Sequence, residues 1–293
     1  MDKQIRDWLL EESNPEMRLR VLKEGFGYED DNIEVISTKE SLKASKIYAS
    51  VSKKLHSDKK WTIYDAILAL AEWGITRSDI GRELDDVVSL FLEQNGFQIL
   101  CGEPLLLRNL VKLGYGEETI IKEEIEKQFD KIKTDGGFGC ISTNKKINDP
   151  KKEHKSCVRL TAGYLLLAAE LEIQGKKIPN KEQLVEYFMR RNIFYRSDCK
   201  EQPMVDVMLE TFFPADPIKI GVQYTTYALK RLGCASNCEA MIEGYRVLDQ
   251  YRQLDGKYVL HNCKSVPAFH TGKKQEPNKW ITFYAYMAKD GVR

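Results

Sequence analysis

Cysteine thiols and one histidine are the residues of this sequence best suited to bind a metal ion. The chain has seven Cys, an odd number that favours free thiols or a metal site over a framework of disulfides. Three thiolates and one imidazole suit a tetrahedral zinc site, and the candidate ligands are Cys101, Cys140, His154 and Cys157. None of the spacings is a Cys-x-x-Cys pair, so they favour the alternative, packed or free thiols.

The overall composition is typical of a soluble globular chain. It has 293 residues, of which 42% are hydrophobic and 30% charged, and a formal net charge of +1. This balance gives no whole-molecule field for nucleic acid. The Lys-rich run 145–155 lacks interleaved aromatic residues, so we expect a solvated loop there. The charged N-terminus and the lack of a run of about 20 apolar residues predict a cytoplasmic protein without a transmembrane segment.

Two kinds of helical stretch alternate along the chain. One kind is apolar on nearly every face, as in a helix buried on all sides; it includes residues 61–74, 104–114, 157–173 and 217–232. The other kind has one apolar face; it includes residues 78–94, with Ser78 as the predicted N-cap, and residues 117–132, 180–194 and 238–252. An aromatic-rich helix is predicted at 279–288, and the best strand pattern is 257–263. These patterns predict an all-α fold.

The apolar helices and the turns before them repeat. Residues 67–74 align with 107–114, 226–233 and 284–291, and 163–170 is a copy without the closing glycine. Asp135-Gly-Gly-Phe138 and Asp255-Gly-Lys-Tyr258 are matching turns, in which a glycine permits a sharp bend and an aromatic residue follows as an anchor. Offsets of about 40 to 60 residues between copies indicate a repeated helical unit with extra loop.

These features resemble the terpenoid cyclase and protein prenyltransferase superfamily, and more narrowly bacterial squalene-cyclase-like or prenyltransferase-like proteins. The Asp-Gly-Gly-aromatic turns carry the resemblance, together with Trp8-Leu-Leu, Cys101-Gly-Glu-Pro and Lys279-Trp280. The resemblance covers most of the chain. It implies an α/α toroid of about five to six helical hairpins, with apolar inner helices inside a ring of amphipathic outer ones. It also implies one domain, 1–293, with residues 1–56 as outer N-terminal helices.

The resemblance further implies where a ligand would bind. The inner helices would begin at one end of the ring, near Trp61, Cys101, Cys157, Asp216 and Trp280. A central cavity lined by aromatic residues suits an apolar or isoprenoid ligand, and charges on apolar helices suit an anionic head group. The ligand-binding residues expected on this basis are Trp61, Tyr64, Arg108, Arg159, Tyr164, Lys219, Tyr224, Trp280 and Tyr284. Ordinary packing is the alternative for the aromatic residues.

The motifs that supply the chemistry of this superfamily are not reproduced, so catalysis stays open. Zinc-dependent prenyltransferases use an aspartate, a cysteine two residues later and a histidine, whereas Asp198 and Cys199 are adjacent. The pair Asp85-Asp86 is followed by Val-Val-Ser, so it matches no acidic cyclase motif and suits a solvated surface. Two other functions remain. One is a non-enzymatic helical scaffold for partner binding; the other is an α/α-barrel lyase or hydrolase acting on carbohydrate, which needs a placed carboxylate pair that is not obvious here.

Overall fold

Helices make up most of the computed structural model, which describes residues 1–97, 100–140, 156–264 and 271–289. His154 and the Lys-rich run 145–155 lie outside the described residues. The first half of the chain forms α1 (Lys3–Leu9), α2 (Pro15–Arg20), α3 (Ile33–Lys43), α4 (Lys46–Leu55), α5 (Lys60–Trp73), α6 (Arg77–Ile80), α7 (Arg82–Asn95), α8 (Glu103–Leu110) and α9 (Thr119–Phe129). The second half forms α10 (Val158–Ile173), α11 (Lys181–Met189), α12 (Val222–Arg231), α13 (Glu239–Asp249) and α14 (Lys279–Lys289). The predicted all-α class is confirmed.

Short elements of other types link these helices. Two π-helical turns, Val21–Gly25 and Val111–Tyr115, continue α2 and α8, and two 3₁₀ turns span Leu100–Gly102 and Asp206–Leu209. Strands β1 (Phe212–Phe213) and β2 (Asn262–Cys263) pair in parallel. The predicted strand 257–263 is therefore a paired strand in its last two residues. Within the described ranges, no helix has both the length and the apolar character that a bilayer span requires.

The predicted helix 78–94 is divided into two helices, α6 and α7. The break falls at Gly81, whose φ of 80° ends α6. Thr76 caps α6 in place of the predicted Ser78, because Thr76 and Asp79 form a reciprocal capping box in which the Thr76 N–H donates to Asp79 at 2.8 Å. The prediction missed this start because Thr76 and Ser78 are both good N-cap residues.

The predicted helix 217–232 is shorter at its start. Helix α12 begins at Val222, because Asp216 and Lys219 first close a tight turn. The backbone N–H of each donates to the carbonyl of the other, at 3.0 and 2.9 Å. This turn places both side chains ahead of the N-terminal end of α12, where they are partly exposed.

Five helices, α5, α8, α10, α12 and α14, are called the core helices. Neighbours in this order pack on each other, and α2 also packs on α5. Every residue of 66–73 in α5 and of 160–171 in α10 is buried, which confirms the prediction of helices buried on all sides. Outer helices cover them: α4 and α7 pack on α5, α11 on α10, and α13 on α12.

The outer helices bury one face each, as predicted. Helix α7 buries Leu84, Val88 and Phe91, and α9 buries Ile121, Ile125 and Phe129 among its apolar side chains. These positions recur at three- and four-residue spacing, so they fall on one side of the helix. The opposite sides of these helices carry charged residues, and this division between apolar and charged sides is the pattern that the sequence shows.

The turn Asp135-Gly-Gly-Phe138 seats the start of α10. Gly136 has a φ of 81°, and a Cβ there would lie 2.3 Å from the Gln183 carbonyl oxygen, so only glycine fits. Phe138 is buried. Its N–H donates to Thr161 Oγ1 at 3.0 Å and its carbonyl accepts from the Cys157 N–H at 2.8 Å. The aromatic residue therefore anchors the helix, as the sequence predicted.

The turn Asp255-Gly-Lys-Tyr258 seats α14 in the same way. Gly256 has a φ of 85°. The Tyr258 N–H donates to Thr282 Oγ1 at 2.9 Å, and its carbonyl accepts from the Asn278 N–H at 2.8 Å. The hydrogen bonds match those of the earlier turn one for one, with Asn278 in the place of Cys157. The predicted equivalence of these two turns is confirmed.

Candidate functional site

The N-terminal ends of α5, α12 and α14 come together in a group of residues called the entrance. Its members are Trp61, Tyr64, Asp65, Phe213, Asp216, Lys264 and Trp280. Phe213, ahead of α12, stacks on Trp280 in the first turn of α14 with ring centroids 4.9 Å apart. Of the predicted ligand-binding residues, the structure therefore brings Trp61, Tyr64 and Trp280 to one place.

Lys264 links two carboxylates at the entrance. Its Nζ lies 2.8 Å from Asp65 Oδ1 and 3.5 Å from Asp216 Oδ2. Its backbone N–H donates to the Phe213 carbonyl at 3.3 Å, which fixes the side chain beside α12. Lys264 therefore forms an ion pair with each of these two carboxylates.

The sequence analysis missed this carboxylate pair. Asp65 and Asp216 are far apart in the chain and Lys264 comes from a third segment, so no spacing reveals them. One signal was present: Asp65 is an acid near the start of a largely apolar helix, and such a charge usually has a specific partner.

An exposed indole marks the entrance. The Trp61 side chain is 42% exposed, and its ring meets the buried ring of Tyr64 edge-on at 5.4 Å. The Tyr64 hydroxyl is buried and has no hydrogen-bond partner among the described residues. Burial is the main cause that raises the pKa of Tyr64 above its usual range, so the group stays a neutral hydroxyl. The exposed aromatic surface of the entrance is therefore that of Trp61, and the unpaired Tyr64 hydroxyl is buried.

Aromatic rings continue inward from the entrance. Phe213 lies nearly parallel to Tyr224 at 6.4 Å, and Tyr224 contacts Tyr284 at 4.5 Å. Tyr224 and Tyr284 are fully buried and Trp280 nearly so. The predicted aromatic residues of α12 and α14 therefore pack against one another, as the packing alternative expected.

A buried charge cluster lies beyond these rings. Its members are Arg20, Glu24, Glu72, Arg108, Lys112, Glu170 and Arg231. Arg108 Nη1 lies 2.6 Å from Glu72 Oε1, and its Nη2 donates to the Tyr284 hydroxyl at 3.4 Å. Both charged side chains are inaccessible to solvent or nearly so. The predicted head-group ligand Arg108 is therefore engaged inside the protein and does not reach the entrance.

Pairing outweighs burial at Glu72. Burial by itself raises the pKa of a carboxyl, but Arg108 and Lys112 lower it. The balance holds the pKa of Glu72 well below its usual range. The Glu72 carboxylate also accepts a hydrogen bond from Tyr284, which further favours its ionised form. This part of the cluster is therefore charged at neutral pH.

The remaining predicted ligand-binding residues are not members of the entrance. Arg159 is exposed in the first turn of α10, and Lys219 Nζ lies 5.6 Å from the Phe212 ring in the turn before α12. Tyr164 stacks on Phe138 at 3.8 Å and donates to Gln128 at 3.2 Å, so it packs between α10 and α9. Tyr164 thus anchors an outer helix.

Two of the predicted zinc ligands are in contact. Cys101 Sγ and Cys140 Sγ lie 3.4 Å apart. Burial, followed by the hydrogen bond with Cys140, raises the pKa of the Cys101 thiol to about 12, so it is protonated at neutral pH. No three His, Cys, Asp or Glu side chains come together as a metal site within the described residues. The zinc prediction also needs His154, which lies outside them.

A carboxyl pair lies at the start of α8. Gln128 Nε2 donates to a carboxylate oxygen of both Glu103 and Glu124. Burial and the nearby charge of Glu124, opposed by Lys131, raise the pKa of Glu103 to about 7. The sequence analysis did not single out Glu103, because its acidic neighbour belongs to a different helix.

A surface cleft of about 640 Å³ lies between α9 and the end of α10. Ile125 and Leu171 form its apolar floor, and its rim carries charges of both signs, including Glu117, Lys122 and Lys176. Two of these rim residues, Glu117 and Lys176, are already paired with each other. The cleft is therefore a rival location for an apolar ligand, with mixed charge and no exposed aromatic ring among its lining residues.

The superfamily resemblance depends on the turns and the order of helices described above. Comparison with protein-family models, with curated proteins and with solved structures found no significant match to this chain. The turns seat core helices, which accounts for the Asp-Gly-Gly-Phe motif by architecture alone. Membership of the superfamily stays a prediction.

Proposed function

We propose that this chain is a terpenoid-cyclase-like protein that binds an apolar, isoprenoid-type small molecule at the entrance. The observation that carries the proposal is the exposed Trp61 indole, held edge-on against the buried Tyr64 beside Lys264. An exposed aromatic side chain next to a small number of polar groups supports the proposal, because aromatic and apolar side chains with a few polar groups line most sites for apolar ligands. The polar groups would orient a hydroxyl or head group at one end.

We further propose that the core helices close into an α/α toroid. Contacts between distant helices support this arrangement. Glu72 of α5 contacts both Arg108 of α8 and Tyr284 of α14, although α5 and α14 are the first and last core helices. A linear stack of hairpins would separate its first and last members, because each repeat in such a stack contacts only its neighbours.

The ligand would occupy the entrance end rather than the middle of the ring. Tyr224, Tyr284 and the Arg108–Glu72 pair already fill the space among the core helices beyond the entrance. Displacing a buried ion pair would expose uncompensated charge, which is strongly unfavourable. The proposed activity is binding, with Asp65 and Asp216 both held in ion pairs with Lys264.

A non-enzymatic helical scaffold is the second candidate. The specific observation in its favour is the filled interior, in which Tyr224, Tyr284 and Arg108 contact protein groups. A scaffold needs a rigid interior and no site for a small molecule, and an exposed Trp61 would then suit a protein partner. The two candidates therefore differ in what they predict for Trp61.

A fluorescence titration with dansyl-labelled farnesol separates them. The entrance proposal predicts saturable binding that unlabelled farnesol competes away. Trp61→Ala should weaken that binding by about tenfold, because removing about 1.5 kcal/mol of aromatic contact has that effect on a dissociation constant. Ile120→Ala is the control, since Ile120 is an exposed apolar residue on α9, away from the entrance. Absence of saturable binding would contradict the proposal and leave the scaffold as the remaining candidate. An equal loss of binding in the Trp61 and Ile120 variants would also contradict it, because the ligand would then not depend on Trp61.

A further inference from the structure

Two cysteine side chains, those of Cys101 and Cys140, lie close enough to react with each other. Their Sγ atoms are 3.4 Å apart, and the other five of the seven cysteines form no such sulfur–sulfur contact in the described chain. A disulfide bond measures about 2.05 Å, so the two atoms need to approach by about 1.4 Å. Both side chains are partly exposed, so a small reagent in solution reaches them.

Packing on helix α10 holds both cysteines in place. Cys101 belongs to the 3₁₀ turn Leu100–Gly102, which leads into α8 and packs on α10. Cys140 follows the turn that seats α10, in which the Phe138 carbonyl accepts from the Cys157 N–H at 2.8 Å. The two cysteines are 39 positions apart in the chain. Their contact therefore comes from the fold and not from their spacing in the sequence.

A third thiol, that of Cys157, lies near this pair. Cys157 is the N-cap residue of α10, and it is close enough to act electrostatically on the Cys101 thiol. Its Sγ forms no contact with Cys101 or Cys140 among the described residues, whereas those two contact each other. The pair that is placed to form a bond is therefore Cys101 and Cys140.

The two thiols of the pair have different roles in such a reaction. Burial raises the pKa of Cys101 to about 12, so its thiol is protonated at neutral pH. The thiolate is the form of cysteine that attacks, so the first attack on an oxidant falls to Cys140. Cys101 is in position for the second attack, because its Sγ already contacts that of Cys140.

We propose that Cys101 and Cys140 are a redox modification site, which a small disulfide of the class of oxidised glutathione converts into an intramolecular disulfide bond. The Cys140 thiolate attacks one sulfur of the oxidant, and the other sulfur leaves as a thiolate and takes up a proton. Cys101 then gives its proton to water, attacks Cys140 Sγ and displaces the second small thiol. Two protein thiols are oxidised, and one small disulfide is reduced to two thiols. The inference is independent of the ligand proposed at the entrance.

The new bond would join the segments that precede two core helices, since Cys101 precedes α8 and Cys140 precedes α10. It would close a loop that contains α8 and α9. A cross-link of this kind restricts the unfolded chain and so stabilises the folded state. Reduction would release the bond, so the stability of the fold would follow the redox state of the solution.

Peptide mapping of the full wild-type chain tests the site. The reduced protein is incubated with oxidised glutathione in the presence of EDTA, which keeps metal ions away from the thiols, and the remaining free thiols are alkylated. We expect a cross-linked peptide pair that contains Cys101 and Cys140 and that dithiothreitol separates. Absence of this pair, or Cys140 joined only to glutathione or to a different cysteine, would overturn the proposal.

Two variants test the order of the two steps. Cys101→Ala removes the second thiol, so Cys140 should stop at the mixed disulfide with glutathione. Cys234→Ala is the matched control, because burial raises the pKa of Cys234 as well, to about 11, and Cys234 is not a member of the pair. This control should form the bond as the wild type does. Loss of the bond in the control, or no glutathione on Cys140 in Cys101→Ala, would contradict the proposed steps.

Thermal unfolding measures what the bond does to the fold. The midpoint temperature of the oxidised wild type should exceed that of the reduced protein by about 5 °C, and dithiothreitol should reverse the rise. Cys101→Ala should show no rise after the same treatment. Equal midpoints for the oxidised and the reduced wild type would overturn the inference that the bond holds the two segments together.

Discussion

The entrance and the buried charge cluster are both built from charged side chains between core helices, but they differ in exposure and in balance. At the entrance, Asp65, Asp216 and Lys264 keep 17%, 17% and 24% of their side chains exposed, and the acids outnumber the base. In the cluster, Glu72 and Arg108 are 0% and 2% exposed, and the bases outnumber the acids. Water can compensate the first imbalance. In the cluster, solvent reaches Arg231, which is 29% exposed, whereas the charges of the Arg108–Glu72 pair must be compensated within the protein.

This difference in exposure indicates different roles for the two regions. Partly exposed ion pairs contribute little to stability, so the residues of the entrance can rearrange around a ligand at small cost. A buried ion pair holds its neighbours in place, because breaking it leaves a charge without a partner. Our proposal therefore places ligand binding at the entrance and structural fixation in the Arg108–Glu72 pair.

The largest effect is expected when Glu72 is neutralised. Glu72→Gln leaves the buried Arg108 guanidinium without its carboxylate, which should lower the free energy of unfolding by about 3 to 5 kcal/mol. Urea denaturation of the wild type and the variant measures the difference. Asp86→Asn is the control, because Asp86 is exposed and its contact with Arg82 is 3.9 Å long. A loss below about 1 kcal/mol for Glu72→Gln, as for an exposed pair, would contradict the assignment.

The next largest effect is expected at Lys112. Its pKa is lowered in the fold to about 8 from a usual value of 10.5, so the unfolded chain binds the proton more tightly and stability should rise between pH 8 and pH 10.5. Lys112→Met should remove this rise and, at pH 7, increase the free energy of unfolding by about 3 kcal/mol. Denaturation curves from pH 7 to pH 10.5 measure both. A rise of the same size in the variant would show that another group causes it.

A smaller effect of opposite sign is expected at Glu103. Its pKa is raised in the fold to about 7 from a usual value of 4.5, so the folded state binds the proton more tightly and stability should fall as pH rises from 4.5 to 7. Glu103→Gln imitates the protonated form. Because Glu103 is partly exposed, we expect it to stabilise the protein by about 1 kcal/mol at pH 8 and to have little effect at pH 4.5.

Thermal melts of the Glu103 variant at the two pH values provide the measurement. Glu126→Gln, on the exposed face of α9, serves as the comparison, because Glu126 forms no hydrogen bond with Gln128 among the described residues. An equal gain at both pH values would mean that the variant acts through packing rather than through its proton.

Local features of this protein could be predicted from the sequence. The helices that are buried on all sides could be predicted from the spacing of their apolar residues. The two matching turns could be predicted from a glycine that is followed by an aromatic residue. Both signals depend on residues that are close together in the chain. The hydrogen bonds of Phe138 and Tyr258 to Thr161 and Thr282 confirm that equivalence. The split at Gly81 was missed because the apolar period continues across it.

The partners of buried charges could not be predicted. Arg108 was recognised as a charge on an apolar helix, but its partner Glu72 lies 36 positions away, and the sequence does not state which distant side chains meet. The same holds for Lys264 and Asp65, which are 199 positions apart. Tertiary packing selects such pairs, so the sequence pointed to a cavity where the structure places an ion pair.

Photoaffinity labelling tests the location of the ligand most directly. The wild-type protein is irradiated with a farnesol analogue that carries a benzophenone, and the labelled peptides are identified by mass spectrometry. We expect adducts in the first turn of α5, around Trp61, that an excess of farnesol suppresses. Adducts at Ile125 or Leu171, in the surface cleft between α9 and α10, or no suppressible adduct at all, would contradict the proposal that the entrance is the binding site.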